Sequence, residues 1–337
     1  MTRKLVTVEK ISAIRAIPDA DKIETAQVRG WEVVVEKDRY QAGDLCLYFE
    51  IDSFLPIAPD SFAVKHGLDV LLLRGKNPKT LLIDGKQVEG VVLKTIRFKG
   101  QISQGFVQAV GAFAHHPIGT DVSAEIGVYK YEPPMPAQLQ GLVKGPFPSF
   151  VPKTDEERIQ NMPNVFSLCD LKTMDVTEKL EGTSATFYKW QGTFGVCGRN
   201  FEYEETENNT YWKMAHQYGL TGMQEGFAIQ GEIIGEGIQS NPYKIRGNAF
   251  LVFGVWDIMQ RRYLPRCDWQ HAVGKPLLSL VPTVDVRPMD LNSIEALLKI
   301  ADGPSALNPN TLREGLVFKQ YDPHLSFKVI SNAYLLV

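Results

Sequence analysis

The sequence predicts an α+β protein in which a small β-barrel precedes a larger domain of antiparallel strands and helices. Three observations support this fold class. Short apolar and β-branched segments separated by Gly, Asp and Pro fill the first 130 or so residues. A proline-rich stretch follows, and beyond it strand-like and helix-like patterns mix. At 337 residues the chain also exceeds the usual size of one domain, so two domains are expected.

The first part of the chain favours a small closed barrel. Five strand-length segments in little more than a hundred residues suit an OB-fold, with a β-sandwich as the main alternative. These predicted strands cover residues 5–14, 31–36, 45–51, 91–96 and 105–110.

The middle of the chain predicts a domain boundary. Residues 133–153 contain six prolines, and proline both fixes φ and removes an amide donor, so an extended connector is expected there. The predicted domains are therefore residues 1–132 and 154–337. Residues 154–160 (TDEERIQ) indicate the start of a helix, because Thr154 or Asp155 can act as its cap and acidic residues follow in its first turn.

The second domain shows the patterns of an α+β fold built on antiparallel sheets. Strands are predicted over residues 187–190, 193–198, 227–234, 250–256, 316–320 and 326–330, and helices over residues 209–218, 268–274 and 291–300.

Composition excludes several classes of protein. A net charge of −3 offers no general attraction for a polyanion, so nucleic-acid binding would need a local basic groove or a bound metal. The four cysteines are widely spaced without a CxxC pair, which disfavours a zinc ribbon or disulfide framework and favours a cytoplasmic protein with reduced thiols. We expect no membrane span, because no apolar run reaches eighteen residues, and the N-terminus lacks the apolar core of a signal peptide.

The segment Glu178-Lys179-Leu180-Glu181-Gly182 carries the most informative chemistry. A lysine amine is a poor nucleophile at its ordinary pKa of about 10.4, but nearby cations or desolvation can lower that pKa. A carboxylate two residues later can bind a ribose hydroxyl, and the glycine allows close approach to a ligand. Taken alone this pattern is weak, since a solvated Lys–Glu turn would look the same.

Five further segments follow Lys179 in a consistent order, and together they are far more specific. They are Cys197-Gly198-Arg199-Asn200, Gln230-Gly231-Glu232, residues 253–258 (FGVWDI), residues 313–319 (REGLVFK) and Ser326-Phe327-Lys328. The set resembles the motifs of the covalent nucleotidyltransferases, the superfamily of polynucleotide ligases and capping enzymes. Within that superfamily the chain looks like the ATP-dependent RNA ligases of the Deinococcus/Naegleria type, which carry an OB domain before the nucleotidyltransferase domain. Residues 147–161 and 100–105 add to this resemblance.

The resemblance implies a role for each motif residue. Lys179 would be the nucleophile that forms a lysyl-AMP, and Glu314 would bind Mg²⁺ or Mn²⁺. Trp256 best fits the adenine-stacking position by register, with Phe253 as the alternative. This sequence has one lysine where many ligases have KxK, so whether Lys319 or Lys328 contacts the α-phosphate stays open. The remaining implied nucleotide contacts are Glu178, Glu181, Arg199 and Glu232.

The resemblance also implies the substrates. ATP would be consumed, and RNA ends bearing a 3′-OH and a 5′-phosphate would be joined. The ends would lie at a nick in a duplex, whose template strand could be RNA or DNA. The barrel would hold the nucleic acid, and we expect a monomer. Candidate contacts on the barrel are Arg97, Lys99, Gln101 and Gln104.

The sequence leaves three alternative functions. A DNA ligase or a GTP-dependent capping enzyme would share the motifs, but these enzymes usually carry a C-terminal OB domain, and the sequence ends nine residues after Lys328. A non-catalytic RNA-binding protein would leave the order of the lysine and the glutamates unexplained. No GxxxxGK[ST] phosphate loop is present.

Overall fold

A computed structural model describes residues 3–66, 78–133, 141–270 and 279–337. The chain divides into two compact units, residues 1–134 and residues 135–335, and each is described by itself. Within the described ranges, no helix is long and apolar enough to cross a membrane.

Outside residues 67–77, the first unit is mostly β-structure, with two single-turn helices, α1 (Phe62–Lys65) and α2 (Ser123–Ile126). Its strands are β1 (Val6–Ala16), β2 (Ile23–Val28), β3 (Trp31–Glu36), β4 (Leu45–Phe49), β5 (Ser53–Pro56), β6 (Lys79–Ile83), β7 (Lys86–Val92), β8 (Thr95–Phe98), β9 (Gln101–Gln104), β10 (Phe106–Ala109) and β11 (Tyr129–Lys130).

Two sheets and a hairpin form the described part of this unit. The sheets have the orders β10-β4-β1-β2-β3 and β11-β5-β7-β6, and β8 pairs with β9. Strand β4 is buried on both faces: Leu47 and Phe49 enter one apolar cluster, while Cys46 and Tyr48 enter another. The single strand predicted over residues 91–96 is wrong. Residues 91–92 end β7, which pairs with β5, whereas residues 95–96 begin β8, which pairs with β9, and residues 93–94 separate the two strands.

The described residues of the second unit combine antiparallel sheets with four short helices, α3 (Val165–Leu168), α4 (Thr210–Gln217), α5 (Ile294–Ala301) and α6 (Asn332–Leu335). Its strands are β12 (Val143–Pro146), β13 (Asp175–Lys179), β14 (Thr183–Trp190), β15 (Thr193–Cys197), β16 (Phe201–Tyr203), β17 (Phe227–Gly235), β18 (Asn248–Asp257), β19 (Arg262–Tyr263), β20 (Ser279–Leu280), β21 (Gly315–Tyr321) and β22 (His324–Ile330).

These strands form a large and a small sheet, and each buries one face. The large sheet has the order β12-β16-β15-β14-β17-β18-β19, with β20 parallel to β18. One face of it packs Phe187, Ile229 and Val255 in a core with α4. The small sheet, β13-β21-β22, packs Phe318 and Phe327 in a second core with α5. The predicted α+β class with antiparallel sheets is confirmed.

The helix predicted over residues 154–160 is wrong. Residues 152–157 are irregular and lead into a 3₁₀ turn at Ile159–Asn161. The backbone of this segment is hydrogen-bonded to β22 instead of forming a helix, because the Lys328 amide donates to the Glu157 carbonyl at 2.8 Å. The acidic side chains that suggested a first helical turn bind partners elsewhere in the unit: Asp155 pairs with Arg199 and Glu156 with Ser326.

Two other predictions fall partly outside the described residues. Most of the helix expected over 268–274 lies there, as do residues 134–140 of the expected connector. The remainder of that connector is packed against the second unit: β12 pairs with β16, and Val151 is buried in an apolar cluster with Tyr188.

Candidate active site

Three lysines share one face of the small sheet. Lys179 ends β13 opposite Gly315, Asp175 lies opposite Lys319, and Val317 lies opposite Lys328. Directly opposed residues in an antiparallel pair project to the same face, and residues alternate along each strand. Lys179, Lys319 and Lys328 therefore lie on the face turned away from the core of Phe318 and Phe327.

Lys179 forms a close ion pair. Its Nζ lies 2.6 Å from Oε1 of Glu314, the residue immediately before β21. The side chains are 27% and 19% exposed, so the pair is shielded but accessible to a ligand. The Glu314 carbonyl is fixed in turn by the Ser331 amide at 3.0 Å.

Glu232 is the second carboxylate near Lys179. It lies on β17, where its cross-strand neighbours are Ser184 of β14 and Leu251 of β18. Its side chain is on the face of the large sheet opposite to the core that contains Phe187. Burial raises the pKa of Glu232 to about 8; Lys179 lowers it less than burial raises it, and Glu314 raises it further. The free protein thus holds two carboxylates near one lysine, and Glu232 is mostly protonated at neutral pH.

Position 182 must be glycine because the loop after Lys179 passes very close to β17. A Cβ at this position would lie 2.5 Å from the Ile233 carbonyl oxygen and 2.7 Å from Cγ of Glu232. Any larger residue would push the loop after Lys179 away from Glu232.

Glu178 and Glu181 flank Lys179 but have different surroundings. Glu178 points to the opposite face of β13 and is 2% exposed. Its Oε2 accepts a hydrogen bond from the Ala306 amide at 2.8 Å, while its buried Oε1 has no partner among the described residues. Burial raises the pKa of Glu181, but hydrogen bonds from Ser240 and Tyr334 outweigh burial, and the net shift is downward.

A β-bulge in β18 brings two aromatic residues to the same side of the large sheet. Gln230 opposes Gly254 and Gly231 opposes Val252, so Phe253 is the extra residue. Phe253 is half-buried beside Leu180 and Tyr243. The indole of Trp256 donates to the Phe150 carbonyl at 3.1 Å and packs edge-on against Tyr263, so its polar atom is already engaged.

Lys319 is buried among aromatic rings. Its Nζ lies 4.6 Å from the ring centre of Tyr263 and 5.7 Å from that of Phe253. Burial lowers its pKa, and Glu156, whose Oε1 lies 3.9 Å away, opposes that shift. Lys328, by contrast, is only partly buried.

Arg199 lies just beyond β15 and is largely exposed. It pairs with Asp155 at 3.0 Å. The segment that carries Asp155 also contacts the large sheet. There the side-chain amide of Gln230 donates to the Pro152 carbonyl at 2.8 Å.

Comparisons with known proteins identify the family. A family model described as RNA ligase matches residues 172–330, and a model described as an OB-fold domain matches residues 5–110. A Naegleria gruberi RNA ligase mutant with AMP and Mn is 38% identical, with a TM-score of 0.81, over 99% of this chain and 98% of that chain. The chain belongs to the RNA ligase family.

Two further structures of Naegleria gruberi RNA ligase are similar to this ligase. One is described as having PPi, with 38% identity and a TM-score of 0.79 over 99% of this chain and 98% of that chain. The other is a mutant with ATP and Mn, with 37% identity and a TM-score of 0.81 over 98% of both chains. No curated protein matches the chain. The predicted family and the predicted N-terminal OB-fold are confirmed.

The four residues predicted to contact nucleic acid differ in accessibility. Arg97 and Lys99 are exposed on the β8–β9 hairpin of the ligase, where Lys99 and Gly100 both take positive φ in a two-residue turn. Gln101 donates to Glu32 at 2.8 Å. Gln104 is 1% exposed, so its side chain does not lie on the surface.

Sequence reasoning missed several residues that contact the predicted site. Glu156 faces Lys319, Ser240 and Tyr334 bind Glu181, and Asp155 holds Arg199. The acidic run at 155–157 is the one local signal, and its pattern also matches the first turn of a helix. Ser240 and Tyr334 are 59 and 153 residues from Glu181, and no local pattern marks them.

Proposed function

We propose that this ligase uses ATP to join RNA 3′-OH and 5′-phosphate ends through a Lys179–AMP intermediate. The observation that carries the proposal is the position of Lys179: it ends β13 on the face shared with Lys319 and Lys328, ion-paired to Glu314 at 2.6 Å. The related Naegleria ligases with AMP or ATP support the choice of nucleotide.

The surroundings of Glu178 and Phe253 suit adenine. The buried Oε1 of Glu178 lacks a donor among the described residues, and the exocyclic amine of adenine would supply one. The carbonyl at the same position of guanine would place two acceptors together. We propose Phe253 as the stacking residue, because its ring is half-exposed beside Leu180, whereas the indole of Trp256 is engaged with Phe150.

In the first step, Nζ of Lys179 forms a bond to the α-phosphorus, and the bond from that phosphorus to the bridging oxygen breaks to release pyrophosphate. An ammonium has no lone pair to donate, so Lys179 must separate from Glu314 and lose a proton first. Lys328 would hold phosphate oxygens as a point charge, and Lys319 would do so only from a more buried position.

The carboxylates of Glu314 and Glu232 fit a hard divalent cation such as Mg²⁺ or Mn²⁺. Among the described residues, no cluster of three or more acidic, His or Cys side chains could hold a metal alone. The cation would therefore complete its ligands with phosphate oxygens and water, as Mg²⁺ usually does. When bound, it would neutralise charge that develops on the phosphates.

In the later steps AMP passes from Lys179 to the 5′-phosphate of RNA, and a 3′-OH attacks that activated phosphate to release AMP. We assign RNA contacts to residues 1–132 and nucleotidyl transfer to residues 154–337. Exposed Arg97 and Lys99, with Gln101, are the proposed contacts, and nicks in duplexes are the proposed substrate.

The first test is incubation with α-labelled ATP or GTP and Mg²⁺ or Mn²⁺, followed by a denaturing gel. We expect label from ATP on the wild type, none on Lys179→Ala, and wild-type label on Lys172→Ala, which removes an exposed lysine on a 3₁₀ turn. Label from GTP alone would indicate a capping enzyme, and no label would refute the lysyl-AMP chemistry.

The second test supplies nicked duplexes whose 3′-OH strand, 5′-phosphate strand and template are each RNA or DNA. We expect sealing to require RNA at the 3′-OH end. The Arg97→Ala/Lys99→Ala variant should form lysyl-AMP normally and seal nicks more slowly. Equal sealing of all-DNA nicks would indicate a DNA ligase, and unchanged sealing by the variant would exclude the hairpin from RNA binding.

A further inference from the structure

The carboxylate of Glu181 is held by residues far away in the sequence. Its Oε1 accepts from the Ser240 hydroxyl at 2.6 Å and from the Ser240 amide at 3.2 Å. Its Oε2 accepts from the hydroxyl of Tyr334. The Glu181 amide also donates to Tyr243 at 2.6 Å, so both backbone and side chain are fixed.

Tyr334 belongs to a C-terminal segment, residues 331–334, that contacts two acidic residues of the site, Glu314 and Glu181. The Ser331 amide donates to the Glu314 carbonyl at 3.0 Å. The segment is anchored by Asp302, whose Oδ1 accepts from the Ser331 hydroxyl at 2.7 Å and from the Ala333 amide at 3.1 Å. One short segment thus fixes the backbone of Glu314 and the side chain of Glu181.

The hydrogen-bonding capacity of Glu181 is nearly filled. A carboxylate offers about four acceptor positions, two on each oxygen. Among the described residues, Ser240 fills both positions on Oε1 and Tyr334 fills one on Oε2. One position on Oε2 remains, and its direction is set by the Tyr334 hydroxyl.

We propose that Tyr334 and Ser240 are positioning residues that direct the remaining acceptor of Glu181 toward a ribose hydroxyl of the nucleotide. The C-terminal segment then determines how strongly the enzyme selects a ribonucleotide with both hydroxyls. This inference rests on the proposed use of ATP by Lys179. It differs from a purely structural role because it predicts a change in selectivity between nucleotides.

The test compares lysine adenylylation with ATP, 2′-deoxy-ATP and 3′-deoxy-ATP in wild type and Tyr334→Phe, measuring the rate constant and half-saturating concentration for each. The wild type should prefer ATP over one of the deoxy nucleotides. Tyr334→Phe should reduce that preference about 10- to 100-fold, the range for losing a hydrogen bond to a charged group, by slowing the reaction with ATP more than that with the deoxy nucleotide. Ser240→Ala should act in the same direction.

Two controls separate this role from general damage. Tyr218→Phe removes a hydroxyl that accepts from the Phe250 amide on the core side of the large sheet, and should leave the preference unchanged. Adding Tyr334→Phe to Glu181→Gln should cause no further loss of preference, because the two groups act as one unit.

The outcomes are distinguishable. If wild type forms lysyl-AMP but Tyr334→Phe and Ser240→Ala both keep the wild-type preference, the inference is overturned, whatever happens to the overall rates or to thermal stability. A wild type without any preference among the three nucleotides overturns it too. A wild type that forms no lysyl-AMP at all refutes the proposed function instead. Should Tyr334→Phe fail to fold, Ser240→Ala alone decides.

Discussion

Replacing Glu232 with glutamine should make the free enzyme less sensitive to alkaline pH. The pKa of Glu232 is raised from its ordinary value of 4.5 to about 8, chiefly by burial. Between those two pH values the unfolded chain has released this proton and the folded protein still holds it. The folded state then binds more protons, so the stability that Glu232 contributes is complete below pH 4.5 and is lost as pH rises toward 8.

The size of the effect follows from the shift. Each pH unit within that interval removes about 1.4 kcal/mol, which gives an upper limit of about 5 kcal/mol across it. The side chain keeps some exposure to solvent, which screens the charge, so we expect about 2 to 3 kcal/mol. Above pH 8 both states are ionised and the contribution becomes constant.

The assay is urea unfolding followed by circular dichroism between pH 5 and 9, without nucleotide and with a chelator. Glutamine has no proton to lose, so Glu232→Gln should gain stability relative to wild type as pH rises to 8, and the difference should then level off. Glu207→Gln, which changes an exposed glutamate, should show no such trend. A difference between Glu232→Gln and wild type that stays constant from pH 5 to 9 would refute the assigned pKa.

Three further experiments test the geometry around Lys179. Gly182→Ala should destabilise the protein by about 1–3 kcal/mol through overpacking against Ile233 and slow lysyl-AMP formation about 100-fold, measured by label transfer, while Gly145→Ala, where a Cβ meets nothing within 4 Å, should do neither. Phe253→Leu should raise the half-saturating ATP concentration about 10-fold. Trp256→Phe should change the thermal stability of the protein but should change the half-saturating ATP concentration much less than Phe253→Leu does. Lys328→Ala should slow lysyl-AMP formation about 100-fold by removing a charge on the phosphates, and near-normal rates would assign that role to Lys319.

The sequence was sufficient to predict elements whose pattern is local. Strand β3 begins and ends where its run WEVVVE does, and α4 lies within the predicted 209–218, because Asn209 caps it through the amides of Tyr211 and Trp212. The motif order was sufficient to predict the family. Each of these signals is contained within a few neighbouring residues, or within a set of such segments.

The rest depended on pairing between distant strands. That Lys319 and Lys328 share a face with Lys179 follows from the register of β13, β21 and β22, which no single segment specifies. The bulge at Phe253 is a similar case. It shifts the alternation of β18 by one residue, so that Gly254 and Trp256, and not Val255, lie on the side of Glu232. A uniform period of two cannot reveal that shift.

In the free protein, cations of the site are paired with acidic side chains, and the whole protein has a net charge of −3. Binding of a polyanion must therefore depend on local contacts in the site. Lys179 pairs with Glu314, Lys319 faces Glu156, and Arg199 pairs with Asp155. Lys179, Lys319 and Arg199 thus each have an acidic partner in the described structure. Because these partners cancel the local field, long-range attraction contributes little to ATP binding. Affinity must instead come from exchanging carboxylates for phosphate oxygens. For Lys179 such an exchange leaves Glu314 without its cation, and a divalent metal is the group whose charge would compensate that carboxylate.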